Sequence, residues 1–186
     1  MWLFDLFKMT NAVVYFSRAG SNWVNDNVTN IEIGNTKLLA EYIQKKIGGD
    51  LFEIKTKKTY TDEYYKATEE AKEELNSNFF PELLEYPDLN KYDAIYIGHP
   101  IWWGTFPMAI AECLRKNNFS GKKIIPFCTH EGSGIANSAN DMRTYVPQGD
   151  IVNYFEIRGY RCQKIEEDKE IQEEIDKWLK EINQSN

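Results

Sequence analysis

Cysteine is scarce. Cys113, Cys128 and Cys162 are the three in 186 residues, and none stands in a CxxC pair. An odd count at wide spacing excludes a dense disulfide framework and a cysteine zinc site, and leaves reduced thiols in the cytoplasm as the expectation. Histidine is scarcer: His99 and His130 are the two present. A two-histidine metal site would consume both, and neither helical His spacing nor a carboxylate partner supports one, so no metal is expected. Apolar runs are short, below the roughly 18 residues of a membrane span, so no membrane association is expected. Positive charge is in deficit, 22 Lys and Arg against 29 Asp and Glu, for a net charge of −7. That balance argues against affinity for nucleic-acid backbones or anionic lipid. It does not exclude one small anion, which a few backbone amides can hold on an acidic protein.

What is present is ordinary globular material with a surplus of rings. Hydrophobic residues are 42%, charged residues 27% and aromatics 14%, with five Trp and eleven Tyr. The length suits about one domain with one substantial core. Aromatic excess hints at a flat ligand, although large cores use aromatics too. The opening Met1–Met9 (MWLFDLFKM) has no basic leading region and no small-residue cleavage pattern, so it reads as an extra strand, an arm or a short surface helix rather than a signal peptide. Residues 1–10 are therefore set apart as an N-terminal arm, and 11–186 as a single domain.

Within that domain, short apolar runs alternate with helical periodicity. Ala12–Phe16, Leu51–Ile54, Ala94–Ile97, Ile124–Cys128 and Ile151–Ile157 read as five strands. Helical spacing covers Leu38–Ile47, Thr61–Asn76, Phe106–Leu114, part of Ser133–Tyr145, and Glu166–Ile182. Asn78–Tyr92, with Pro81 and Pro87, reads as connection. Pro126 sits inside the fourth strand, where a missing N–H predicts a bulge or a non-bonded edge. The alternation predicts an α/β fold with a doubly wound parallel sheet of five strands. In such sheets ligands bind beyond the carboxyl ends of the strands, at the switch point.

Three loops at that edge carry candidate chemistry. After the first strand comes Ser17-Arg18-Ala19-Gly20. After thirteen intervening residues comes Gly34-Asn35-Thr36, at a helix start. Hydroxyls, an amide and helix-terminal N–H groups are what a phosphate needs, though Asn35 and Thr36 also suit a plain helix cap. After the third strand comes Pro100-Ile101-Trp102-Trp103-Gly104. Adjacent tryptophans there either pack under a neighbouring loop or turn one ring to a flat ligand. After the fourth strand comes Thr129-His130-Glu131-Gly132-Ser133-Gly134, where the glycines permit close backbone approach. A tight turn with a helix cap accounts for the glycines and Ser133, but not for the polar residues before them. The chain carries no dinucleotide fingerprint after a strand, no nucleotide phosphate loop and no nucleophile elbow.

In these loops the sequence resembles the flavodoxin superfamily. The shared pattern is Tyr15–Arg18 after strand one, Pro100–Gly104 after strand three and Pro126–Gly134 after strand four. The resemblance spans nearly the whole chain from Asn11. It implies a 2-1-3-4-5 strand order and non-covalently bound flavin mononucleotide (FMN). It further implies that Ser17, Arg18, Ala19, Asn35 and Thr36 hold the FMN phosphate. Pro100, Ile101, Trp102, Trp103 and Gly104 would line the isoalloxazine, with Trp103 stacking on it. Thr129, Glu131, Gly132, Ser133 and Gly134 would close the other side by backbone contact. The sequence departs from the family by splitting its phosphate loop at Ser21–Ile33, a segment that reads as a flap beside the flavin. Electron transfer is the implied activity, with a redox partner protein or a small-molecule acceptor. An NAD(P)H-dependent oxidoreductase and a flavin-free binding module are the alternatives.

Overall fold

The computed structural model describes residues 9–184. The expected arm at residues 1–10 lies almost wholly outside that range. The central sheet starts from β1 (Asn11–Tyr15), a run buried on both faces. Parallel to it on one side lies β4 (Asp50–Glu53), and on the other β5 (Ala94–Pro100). β6 (Lys123–His130) pairs parallel with β5, so the order runs β4-β1-β5-β6 before reaching the fifth position. In strand-by-strand terms this is 2-1-3-4-5, a doubly wound sheet.

The fifth position is divided. β7 (Asp150–Ile151) pairs with the start of β6, and β8 (Phe155–Arg158) pairs with its end. The break gives Pro126 its place. β6 itself runs without a bulge, Pro126 standing opposite Ile97 of β5, and it is the neighbouring strand that is interrupted alongside it. A strand with a missing N–H is tolerated where its neighbour leaves the ladder. Asn153, in the break, takes a φ of 30°, and its carbonyl accepts a 2.7 Å hydrogen bond from the Trp178 indole.

Period-two burial sorts each strand between two cores. Ala12, Val14, Ile95, Ile97 and Ile124 face α3 (Met108–Arg115) and α4 (Ser138–Tyr145), where Ile110 and Met142 are buried. Val13, Tyr15, Tyr96, Ile125 and Phe127 face α1 (Asn35–Ile47) and α6 (Lys169–Gln184), which contribute Leu39, Ile43, Ile171 and Ile175. α2 (Tyr64–Ser77) buries only Ala67 and Ala71, as its charged sequence predicts. α5 (Gly159–Cys162) is a single turn that hydrophobic periodicity cannot resolve. The split phosphate-loop segment folds as a β-hairpin, β2 (Gly20–Val24) and β3 (Asn27–Ile31). Its two-residue turn, Asn25-Asp26, has φ of 48° and 65°, the positive values that match the twist of paired strands. The three cysteines are free and buried. Among the described residues no helix is long and apolar enough to cross a membrane.

Gly98 marks the closest packing in the sheet. A Cβ there would sit 2.3 Å from Phe127 Cζ and 3.0 Å from Tyr15 Cβ. Phe127, fully buried on the adjacent strand, lies across the space that the missing side chain leaves. Gly98→Ala is expected to destabilise the fold by about 1–3 kcal/mol through overpacking. Urea denaturation measures it, and an unchanged midpoint would show that Phe127 can move aside freely.

Candidate functional site

The hairpin leaves and returns to the chain at one place. A Cβ on Gly34 would lie 2.2 Å from Ser17 Oγ and 2.6 Å from the Arg18 carbonyl oxygen. The two halves of the split loop therefore touch, and only glycine fits between them. Ser17 Oγ accepts a 3.0 Å hydrogen bond from the Lys37 N–H, in the first turn of α1. Ser17 thus caps α1 from outside the helix, and its hydroxyl hydrogen remains available for donation. The N–H groups of a first helical turn have no intrahelical acceptors and carry the positive end of the helix dipole. The result is a cradle suited to an anion.

The hairpin is then tied across the site. Arg18 donates to the carbonyls of Ser21 and Thr61, the latter at 2.7 Å, so its guanidinium joins the hairpin to the segment before α2. At the hairpin turn, Asn25 N–H donates to Glu131 Oε2 at 3.2 Å, and Glu131 Oε1 accepts from Tyr160 N–H at 3.1 Å. One carboxylate so links the hairpin, the loop after β6 and α5. Burial raises the Glu131 carboxyl above its usual range, and the two N–H donors oppose that rise. Thr36 and Thr129, both buried, share a 2.8 Å hydroxyl contact that couples α1 to the end of β6. Asn35 Oδ1 accepts from Gln163 at 2.6 Å.

The two tryptophans have separate surroundings. Trp102 and Thr105 exchange backbone hydrogen bonds of 2.8 and 3.1 Å around Trp103-Gly104, whose φ values are 51° and 81°. Gly104 adopts such a turn freely. A bulky residue does so at a cost of about 1–3 kcal/mol. Trp103 is held in that geometry by its indole N–H, which donates to the Thr68 carbonyl at 2.7 Å. Its ring is 49% exposed, with the Lys72 ammonium 4.6 Å from the centroid. Trp102 packs edge-on against Phe16 and Tyr60, with centroids 5.3 and 5.2 Å away. It is the structural member of the pair.

Between these elements lies a cavity of about 500 Å³. Of the sequence-derived candidates, Asn35, Pro100, Ile101, Trp102, Trp103, Thr129 and Glu131 line it. Ser17, Arg18 and Thr36 stand behind it at the α1 terminus, while Ala19 is exposed. Gly104 shapes the tryptophan turn, and its carbonyl accepts from Asn137 N–H at 2.9 Å. Gly132, Ser133 and Gly134 form an outer turn organised by His130, whose Nδ1 accepts from the N–H groups of Gly132 and Gly134 at 2.9 and 3.2 Å. Burial lowers the His130 pKa, in keeping with that acceptor role. The sequence reading missed Trp23, Tyr64, Tyr65 and Thr68, which also line the cavity. Trp23 sits in a polar segment, and the paired tyrosines sit at the start of a helix whose charge suggests a solvated surface.

A family model described as Flavodoxin matches residues 13–182. The chain belongs to the flavodoxin family. No match is found among curated proteins. Solved structures share the fold. A protein from Bacteroides uniformis is 25% identical over 84% of this chain and 95% of its own, with a TM-score of 0.66. The flavoprotein from Lactobacillus acidophilus, crystallised in complex with FMN, is 21% identical over 92% of this chain and 99% of its own, with a TM-score of 0.63.

Beneath the tryptophan turn lies a buried polar chain. His99 is fully buried; its Nδ1–H donates to the Pro100 carbonyl at 3.1 Å and its Nε2 accepts from the Tyr154 hydroxyl. Tyr154 in turn meets Ser138 Oγ at 2.8 Å. The break in the fifth strand supplies Tyr154. Burial lowers the His99 pKa from 6.5 to about 4. Above pH 6.5 His99 is neutral whether folded or unfolded, and stability is at its full value. As pH falls from there to about 4, the unfolded chain takes up a proton that the folded chain refuses. Stability should drop by about 3 kcal/mol over that window. Denaturation midpoints against pH test this, and His99→Gln should flatten the curve. An unchanged slope in the variant would assign the pH dependence to other groups.

Proposed function

We propose that this chain binds FMN non-covalently and transfers electrons to or from a redox partner protein or a small-molecule acceptor. The observation that carries the reading is the contact of Ser17 and Arg18 with Gly34 at the α1 terminus, since it brings the two separated halves together in a form suited to a phosphate. The residues fit the group. A cradle closed to any Cβ faces a helix terminus, and an exposed indole stands at the tip of a strained turn beside a cavity of ligand size. Family membership and the likeness in fold to an FMN complex support the same assignment.

Ser17 and the first-turn N–H groups of α1 would hold the phosphate. Thr36 and Thr129 keep the cradle in register with the loop after β6. Arg18 contributes by fixing the hairpin, its side chain being committed to carbonyl oxygens. Trp103 would present its ring to the isoalloxazine. Bound there, the flavin supplies the capacity to take up and release electrons, and the protein tunes it. Glu69 and Glu131 on the cavity wall disfavour added negative charge at that place. Both oxygens of Glu131 are engaged by backbone N–H groups, and His130 Nδ1 likewise, so these side chains hold structure rather than exchange protons.

The direct test is mass spectrometry of the cofactor released from the purified protein. FMN is expected; FAD, or no flavin that rebinds, would overturn the reading. Within the tryptophan pair, Trp103→Ala should weaken FMN by about 0.5–1.5 kcal/mol and shift its redox potential. Trp102→Ala should instead lower folding stability, by up to about 3 kcal/mol, through the lost contacts with Phe16 and Tyr60. FMN titration of both variants with parallel thermal unfolding separates the two effects. A larger flavin effect from Trp102→Ala would reverse the assignment.

A further inference from the structure

We propose that the part of the cavity between the hairpin and α2 binds a second planar ligand beside the flavin, and that this ligand is an uncharged or cationic aromatic compound. The inference rests on the flavin-binding reading and goes beyond it by naming a subsite and its ligand chemistry.

The first argument is the wall. Trp23, on β2, and Tyr64, at the start of α2, stand with ring centroids 6.0 Å apart and planes inclined by 32°. Tyr65 adds a third ring, 5.2 Å from Tyr64 and edge-on to it. All three line the cavity, and none belongs to the loops that form the phosphate cradle or the tryptophan turn. Rings gathered on one wall from two elements offer ring faces and edges, the two arrangements in which a planar aromatic molecule packs favourably.

The second argument is charge. Among the residues that line the cavity, the ionisable ones that carry charge at neutral pH are Glu69 and Glu131, and neither Lys nor Arg is included. His130, also on the wall, is held toward its neutral form. Of the cations near the wall, Arg158, exposed beside Gly132, offsets part of the Glu131 charge. Arg18 donates to the carbonyls of Ser21 and Thr61, and the Lys72 ammonium lies over the Trp103 ring. An anionic ligand would meet two carboxylates and no Lys or Arg on the wall itself, whereas a neutral or positive one meets no such opposition. The same charge distribution disfavours a pyridine nucleotide, with its several phosphates, as the molecule seated here.

The third argument is how the wall is held. The hairpin is fastened at its base by Arg18 and at its turn by Asn25 on Glu131. Trp23 thus projects from a segment tied at both ends, which limits the ordering cost of binding.

Isothermal titration of the FMN-loaded protein tests the subsite, with 1,4-naphthoquinone as the uncharged probe and its 2-sulfonate as the anionic one. The uncharged probe should bind about tenfold more tightly than the sulfonate at low ionic strength, with the gap narrowing in salt. Trp23→Ala should weaken 1,4-naphthoquinone by about three- to tenfold, as loss of one stacked ring implies, while FMN affinity stays within about twofold of the parent. Trp23→Phe should retain most of the binding and controls for damage to the hairpin. Sulfonate binding as tight as that of the parent quinone would overturn the charge argument. Naphthoquinone binding unaffected by Trp23→Ala, or FMN weakened as much as naphthoquinone, would overturn the subsite, the latter by making Trp23 part of the flavin wall. If the purified protein takes up no flavin, the proposed function fails separately. The same two comparisons on the flavin-free protein then still decide whether the aromatic wall binds a planar ligand.

Discussion

The contact between Gly34 and the Ser17–Arg18 backbone is the constraint on which the site depends. It brings the end of β1 to the first turn of α1, although the thirteen residues Ser21–Ile33 and their flanks intervene in sequence. From that junction the rest follows. Ser17 can cap α1 only because the two strands of chain touch. The hairpin can lie over the cavity only because it departs and returns at a single point. Its turn then reaches Glu131, and Glu131 reaches Tyr160, so the first and fourth loops of the sheet are joined through one carboxylate. A site assembled from distant segments is held by few contacts, each of which closes a long loop of chain.

The sequence made the sheet legible because parallel strands buried on both faces announce themselves as short apolar runs. Ala12–Phe16 and Ala94–Ile97 correspond closely to β1 and β5, and the amphipathic stripe of Ile171, Ile175 and Trp178 marks α6. Boundaries at the site end were less visible. β5 and β6 each continue past their apolar runs, to Pro100 and His130, because ladder pairing persists where polar residues begin. The divided fifth strand was not visible at all, since Ile151–Ile157 is apolar enough to read as continuous; only Pro126, on the neighbouring strand, signalled an irregularity.

The candidate site was legible where short-range chemistry dominates and obscure where tertiary contact decides. Glycines, hydroxyls and the tryptophan pair pointed to the three loops. The tight turn that separates the two tryptophans, with Trp103 at a positive φ that its side chain disfavours, was not legible from residue types. The flap was expected from the split in the phosphate loop, but its aromatic residue was not singled out, because Trp23 meets Tyr64 only after the hairpin folds against α2. Arg18 shows the same limit in reverse. A guanidinium beside a phosphate loop suggests an anion ligand, whereas here it spans two carbonyls and braces the hairpin.

The junction also bears on how such a chain can vary. Because its ends already meet, the hairpin is a closed detour whose length adds little to the loop-closure entropy of folding. Its two strands pair with each other and stay out of the central sheet. Residues on the hairpin can therefore change in identity or number without disturbing strand register or the cradle beneath. The cover of the cavity and the α1 terminus beneath it are, in this arrangement, separately adjustable parts of one continuous loop.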